Sequence, residues 1–155
     1  MIKIFSCNDS RGVRPIWTAE EMGLEYNLEM LPFPPRYFKK EFLNTNILGT
    51  VPYLEDGKVQ MTESVAMCQY LVEKYGPTKL KVEPNEADYA SYLNWLFHSE
   101  ATLTFPQTVY LRYTFQETGV ADKAAEGYRR WFIARLKLLE KSLNKQVDYN
   151  IGVLK

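Results

Sequence analysis

The sequence predicts an α/β domain followed by an all-α segment. Three observations carry that reading. Short strand-like and helix-like stretches alternate over residues 1 to about 76. A linker-like stretch, PTKLKVEPNE, follows. After it come two long helical patterns without a strand signal. The expected organisation is a domain over 1–77, a linker over 78–85 and a helical domain over 86–155.

The elements follow from local pattern. MIKIFS places Ile2 and Ile4 on one side and opens as a strand. NDSRG is a polar turn, and VRPIWTAEEMG reads as a helix that Ser10 or Asp9 can cap and Gly23 ends. Pro15 falls in its first turn, where a missing N–H is harmless. LEYNLEML reads as a second strand, PFPPRYF as a proline-rich loop and KKEFLNTN as a short helix or turn. VPYLED and KVQMT form a hairpin across Asp-Gly. SVAMCQYLVEKYG is a helix with Val65, Cys68, Leu71 and Val72 on one face. The order β-α-β-β-β-α gives one parallel crossover, then an antiparallel hairpin and a covering helix, the layout of a thioredoxin-like sheet. Beyond the linker, Phe132, Leu136, Leu139 and Leu143 fall at helical spacing, and Pro106 is expected to break or kink the preceding helix.

Composition excludes several function classes. Nineteen basic residues balance nineteen acidic ones, so the surface is not the basic one that nucleic acid requires. No apolar run approaches the ~20 residues of a membrane span, and the N-terminus lacks a signal-peptide pattern. Cys7 and Cys68 are far apart and His98 is the single histidine, which fits neither a disulfide framework nor a zinc site. A reducing, cytoplasmic location is the expectation.

The candidate chemistry gathers in the first domain. Pro52 precedes a strand and removes a ladder donor. It is either an edge-strand proline or a cis turn that presents the Val51 peptide to a ligand. Glu63 and Ser64 open a helix, whose N–H groups and dipole favour an anion. Ser64 is read as the cap, its hydroxyl available to a carboxylate, and Glu63 as a partner for an ammonium. Together they suit the head of an amino acid; the plainer alternative is an ordinary N-cap beside an acidic residue. Ser10 opens the first helix and is either a cap or a donor to a bound thiolate. Cys7 competes with it through the spacing CNDS, but reads rather as a buried bystander. His98 reads as packing. Trp95, Phe105, Tyr110, Tyr113 and Trp131 read as core, with a few available to line an apolar pocket.

NILGTVPYLEDG followed by MTESVAMCQYLVEKYG resembles the glutathione-binding half of cytosolic glutathione S-transferases. Asn46, Gly49, Val51, Pro52, Glu63 and Ser64 match the family pattern. SRGVRPIWTAEEMGLEY resembles the family's first helix, with Ser10 where the serine-type, bacterial-like classes carry their catalytic hydroxyl. NEADYASYLNWLFHSEATLTF resembles the first long helix of the family's C-terminal domain.

The resemblance implies glutathione as co-substrate, no metal, a small hydrophobic electrophile and a homodimer. It implies a cis Pro52, with Thr50 and Val51 beside the cysteine of glutathione and Val51 pairing its backbone with it. Glu63 and Ser64 then hold the γ-glutamyl head, Ser10 stabilises the thiolate, and Lys39 or Lys40 meets the glycine carboxylate. The family's helical domain runs a further ~70 residues, as a full second core requires. DYNIGVLK begins the approach to its next signature and stops, so the chain is expected to be C-terminally truncated. Two other functions stay open: glutathione-dependent thiol–disulfide reduction through Cys7, and a non-catalytic glutathione-binding or interaction module.

Overall fold

The computed structural model describes residues 1–145; DYNIGVLK lies outside them. The chain divides into two compact units, Met1–Lys81 and Val82–Lys155.

The first unit is built on four strands: β1 (Ile2–Ser6), β2 (Tyr26–Met30), β3 (Tyr53–Asp56) and β4 (Val59–Met61). Their order in the sheet is β2-β1-β3-β4. β1 and β2 are parallel, with Ser6 opposite Met30. β3 runs antiparallel to β1, with Phe5 opposite Tyr53, and β4 antiparallel to β3, with Leu54 opposite Met61. The β3–β4 turn passes through Gly57, whose φ of 63° is the left-handed conformation that Asp-Gly supplies at low cost.

Alternation along β1 sends its side chains to two faces. Ile2 and Ile4 join Leu54 beneath α1 (Val13–Glu21) and the Ser64–Lys74 helix, which contribute Ala19, Met67 and Leu71. Ile4, Leu54, Met67 and Leu71 are wholly buried, and each such side chain contributes roughly 1.5–3 kcal/mol. Met67, rather than Val65, lies on the buried face of the second helix: Val65 is half-buried. On the other face Phe5, Tyr53 and Phe42 form an aromatic cluster with ring centroids 5.2–6.1 Å apart. Phe42 comes from a 3₁₀ segment, Lys40–Asn44, where a short helix or turn was expected. The proline-rich loop contains a helical turn of its own, α2 (Pro35–Phe38), because proline is well suited to a first helical position. The helix Ser64–Lys74 is α3.

One ionic cluster ties the far end of the sheet to α3. Asp56 Oδ2 accepts from Lys74 Nζ at 2.6 Å, Tyr75 Oη at 2.5 Å and Tyr70 Oη at 2.9 Å. The Lys74 and Tyr75 hydrogen bonds hold the buried Asp56 carboxyl well below the usual carboxylate range.

The second unit is helical: α4 (Tyr89–His98), α5 (Phe105–Leu111) and α6 (Asp122–Lys145). Pro106 does not break the helix. Ser99–Thr104 continues α4 as a π segment that leads into α5, where Pro106 occupies the first turn. A second π segment, Arg112–Gln116, carries the helix on. The wider turn accommodates the missing N–H without ending the helix. Phe105 and Trp131, expected in the core or lining an apolar pocket, are more than half exposed. They line a cavity of ≈ 470 Å³ between α5 and α6 together with Tyr128 and Pro106. Phe105 packs edge-on to Tyr128. Trp95, Tyr110 and Tyr113 are half-buried. His98 packs edge-on to Trp95, as a packing histidine should. No helix among the described residues is long and apolar enough to cross a membrane.

Candidate functional site

The strand register decides where the candidate residues lie. β1 and β2 point the same way, so the Cys7–Ser10 turn and the loop carrying Lys39 and Lys40 leave the sheet at one end. β3 is antiparallel and begins at that end, directly after Thr50, Val51 and Pro52. β4 returns to it and delivers Glu63 and Ser64. All four segments converge on one edge of the unit, although they are spread over more than fifty positions of sequence.

At the first segment, the β1–α1 turn is closed by Ser10. Its hydroxyl donates to the Cys7 carbonyl at 2.9 Å and accepts from Gly12 N–H at 3.2 Å. Ser6 Oγ lies 3.2 Å away. Neither Ser10 nor Asp9 caps α1: the N-cap is Gly12, where a Cβ would overlap Ser6 Oγ. The Val13 and Arg14 N–H groups are engaged with the Ser10 and Arg11 carbonyls, so these donors are not open to a ligand. Cys7 is 4% exposed, and burial pushes its thiol up. A thiol so placed has little thiolate at neutral pH, the reverse of a reactive cysteine.

Before β3 the backbone is braced rather than free. Asn46, buried, donates through Nδ2 to the Thr50 carbonyl at 2.9 Å and accepts from Leu48 N–H at 3.1 Å. Gly49 sits at φ 57°, where a Cβ would come within 2.7 Å of Arg36 Cβ and 2.9 Å of Leu43 Cδ2. The Val51–Pro52 peptide is cis. Thr50 is exposed and Val51 half-buried; the first ladder pair of β3 is Tyr53, so the Val51 peptide stands outside the sheet. Lys39 and Lys40 are exposed at the start of the 3₁₀ segment.

At α3 the cap is not Ser64, the residue that the local pattern suggests. Glu63, extended at φ −97° and ψ 116°, is the N-cap, and Ser64 is the first helical residue. No side chain caps the first turn. Glu63 is exposed, whereas Ser64 is 4% exposed. Ser64 Oγ accepts a hydrogen bond from Arg14 Nη1 at 3.0 Å. Nothing in the local pattern of α1 signals that Arg14 has a partner 50 positions away. The spacing of Arg14 in α1 could have marked it only once α1 and α3 were known to pack together.

The model of the glutathione S-transferase N-terminal domain matches residues 5–79. The first unit is a glutathione S-transferase N-terminal domain. Glutathione S-transferase 3 of Schizosaccharomyces pombe is 32% identical over 108 residues, 66% of this chain and 43% of the relative. Glutathione S-transferase D7 of Drosophila melanogaster is 30% identical over 118 residues, 75% of this chain and 52% of the relative. The chain thus spans about half the length of the curated relatives it matches. A solved glutathione transferase, URE2P6 from Phanerochaete chrysosporium in complex with oxidized glutathione, superposes with a TM-score of 0.82 at 28% identity, over 98% of this chain and 70% of that one. The thioredoxin-like sheet followed by a helical C-terminal region is the glutathione transferase fold.

Proposed function

We propose that this chain is a serine-type glutathione transferase that joins the thiolate of glutathione to small electrophiles. The observation that carries the reading is the convergence of the Cys7–Ser10 turn, the Lys39–Lys40 loop, the Thr50–Pro52 segment and the Glu63–Ser64 helix start at one end of the sheet. Together they offer a peptide backbone, a carboxylate, hydroxyls and cations to one short peptide. The γ-glutamyl head of glutathione binds at Glu63 and Ser64, its ammonium toward Glu63 and its carboxylate toward Ser64 and the first turn of α3. The cysteinyl residue pairs with the Val51 peptide, flanked by Thr50 and Pro52. Lys39 or Lys40 meets the glycine carboxylate.

Ser10 supplies the hydrogen bond to sulfur. For this its hydroxyl turns from the Cys7 carbonyl to the incoming thiolate, exchanging a neutral bond for a stronger charge-assisted one. The thiolate then attacks the electrophilic carbon. A C–S bond forms and the leaving group departs with its electron pair. No metal takes part. The protein acts as a homodimer in the cytoplasm and binds neither nucleic acid nor membrane.

Calorimetry with glutathione and conjugation of an aromatic halide test the two halves of this reading, with reduction of hydroxyethyl disulfide alongside. Binding with conjugation supports the transferase. Binding without either reaction makes the chain a glutathione-binding module. Reduction that depends on Cys7 replaces it with a thiol–disulfide reductase, against which the burial of Cys7 weighs. Sedimentation at tens of micromolar tests the dimer, and a clean monomer would remove it.

A further inference from the structure

The contact between Arg14 and Ser64 carries an inference that rests on the glutathione reading above. Arg14 lies in α1 and Ser64 opens α3, and Nη1 donates to Oγ at 3.0 Å. A guanidinium has donors only, whereas a serine hydroxyl has one proton and two acceptor positions. Arg14 occupies an acceptor position of Ser64. The remaining strong capacity of that hydroxyl is to donate, and among the described residues nothing takes its proton. A nearly buried hydroxyl in this state lacks an acceptor. The half-buried guanidinium also places a full positive charge beside the uncapped first turn of α3, itself the positive end of a helix dipole.

We infer that Arg14 is a positioning residue that holds Ser64 as a hydrogen-bond donor and so makes this corner of the site selective for the α-carboxylate of the γ-glutamyl group. Glu63, exposed at the N-cap, answers for the ammonium independently of Arg14. Lysine is no substitute, since a guanidinium directs its N–H groups in a fixed planar fork and an ammonium does not.

Two glutathione analogues separate the terms. The 4-aminobutyryl analogue keeps the amine and lacks the α-carboxylate; the glutaryl analogue keeps a carboxylate and lacks the amine. In the wild-type chain, calorimetry should show the 4-aminobutyryl analogue binding roughly ten- to a hundredfold more weakly than glutathione, the range for a hydrogen bond to a charged group. Arg14→Met should shrink that ratio most of the way to unity and leave the glutathione-to-glutaryl ratio unchanged. Arg14→Lys should fall between. Ser64→Ala should also shrink the first ratio, and Arg14→Met added to it should change the ratio no further.

A merely structural role for Arg14 would weaken all three ligands alike and preserve both ratios; that result overturns the inference. So does an equal wild-type affinity for glutathione and the 4-aminobutyryl analogue. If Arg14→Met does not fold, Arg14→Lys and Ser64→Ala read the same ratio. If the wild-type chain binds none of the three, the glutathione reading itself has failed, and this inference with it.

Discussion

Asp56 Oδ2 accepts hydrogen bonds from Lys74 Nζ and from the hydroxyls of Tyr70 and Tyr75, so the end of β3 is clamped to the end of α3 through one carboxylate. The carboxyl is nearly buried, and the Lys74 and Tyr75 bonds lower its pKa below the ordinary carboxylate value. The unfolded chain therefore binds this proton more readily than the folded one. The stabilisation is complete above the unfolded carboxylate pKa of about 4 and is lost as pH falls below it toward the folded value. Asp56→Asn should cost roughly 1.5–3 kcal/mol at pH 7 and flatten the fall of Tm with pH between about 4 and 2. Thermal melts across that range check it; parallel profiles for both proteins would show that the clamp does not set acid sensitivity.

Gly49→Ala tests the turn that leads to Val51. The φ of 57° and the close approach of Arg36 Cβ leave a methyl group no room. We expect a loss of about 1–3 kcal/mol, the cost of a strained left-handed residue together with a displaced neighbour. The midpoint of urea unfolding measures it. An unchanged midpoint would mean that the 46–50 turn relaxes freely despite the Asn46 bonds that brace it.

Glu63→Ala removes an exposed carboxylate at the N-cap of α3. Stability should change little. Glutathione affinity should fall by ~1–3 kcal/mol if the carboxylate bonds the ligand ammonium. Calorimetric affinity equal to wild type would take Glu63 out of the site.

Ser10 and Cys7 make opposite predictions. Ser10→Ala should preserve glutathione affinity, raise the pKa of the bound thiol and slow conjugation ~10–100-fold, the worth of one charge-assisted hydrogen bond. It should also cost about 1 kcal/mol of stability, because Ser10 joins the Cys7 carbonyl to the Gly12 N–H. Cys7→Ala should leave conjugation nearly unchanged. Thiolate absorbance and the pH dependence of conjugation report on both; activity lost with Cys7 and kept without Ser10 would reverse the assignment.

Much of the first unit was legible in the sequence because its signals are local. The alternation of Ile2 and Ile4, the Asp-Gly turn and the helical spacing after Glu63 each depend on a few neighbouring residues. The sheet order β2-β1-β3-β4 is that of the thioredoxin-like layout which the order of the elements implies. What escaped was set by contacts between elements. Arg14 reads as a surface charge on an amphipathic helix until α3 is laid beside it. The turn within PFPPRYF is helical because Pro35 opens it, although proline density alone suggests a loop. A proline inside a helical pattern ordinarily breaks or kinks an α-helix, whereas here a π segment precedes Pro106 and the helix continues. Phe105 and Trp131 read as core or as pocket lining, because hydrophobicity does not distinguish the two, and they line the pocket.

The antiparallel pairing of β1 with β3 has a consequence for the order in which the chain assembles. Phe5 and Tyr53 are neighbours in the sheet and 48 positions apart in the chain. The edge where the four segments meet therefore has no short-range precursor. A nascent chain that has folded only β1, α1 and β2 holds the Ser10 turn without the Val51 peptide facing it. A peptide covering residues 49–76 carries the most recognisable motif and none of the surface opposite. Long-range closure of this kind is slow compared with helix formation. Any ligand that spans the edge binds only after closure and adds its binding free energy to the stability of the whole unit. Ligand occupancy of this edge would therefore be a gauge of complete folding, appearing last as the unit forms and vanishing first as it opens.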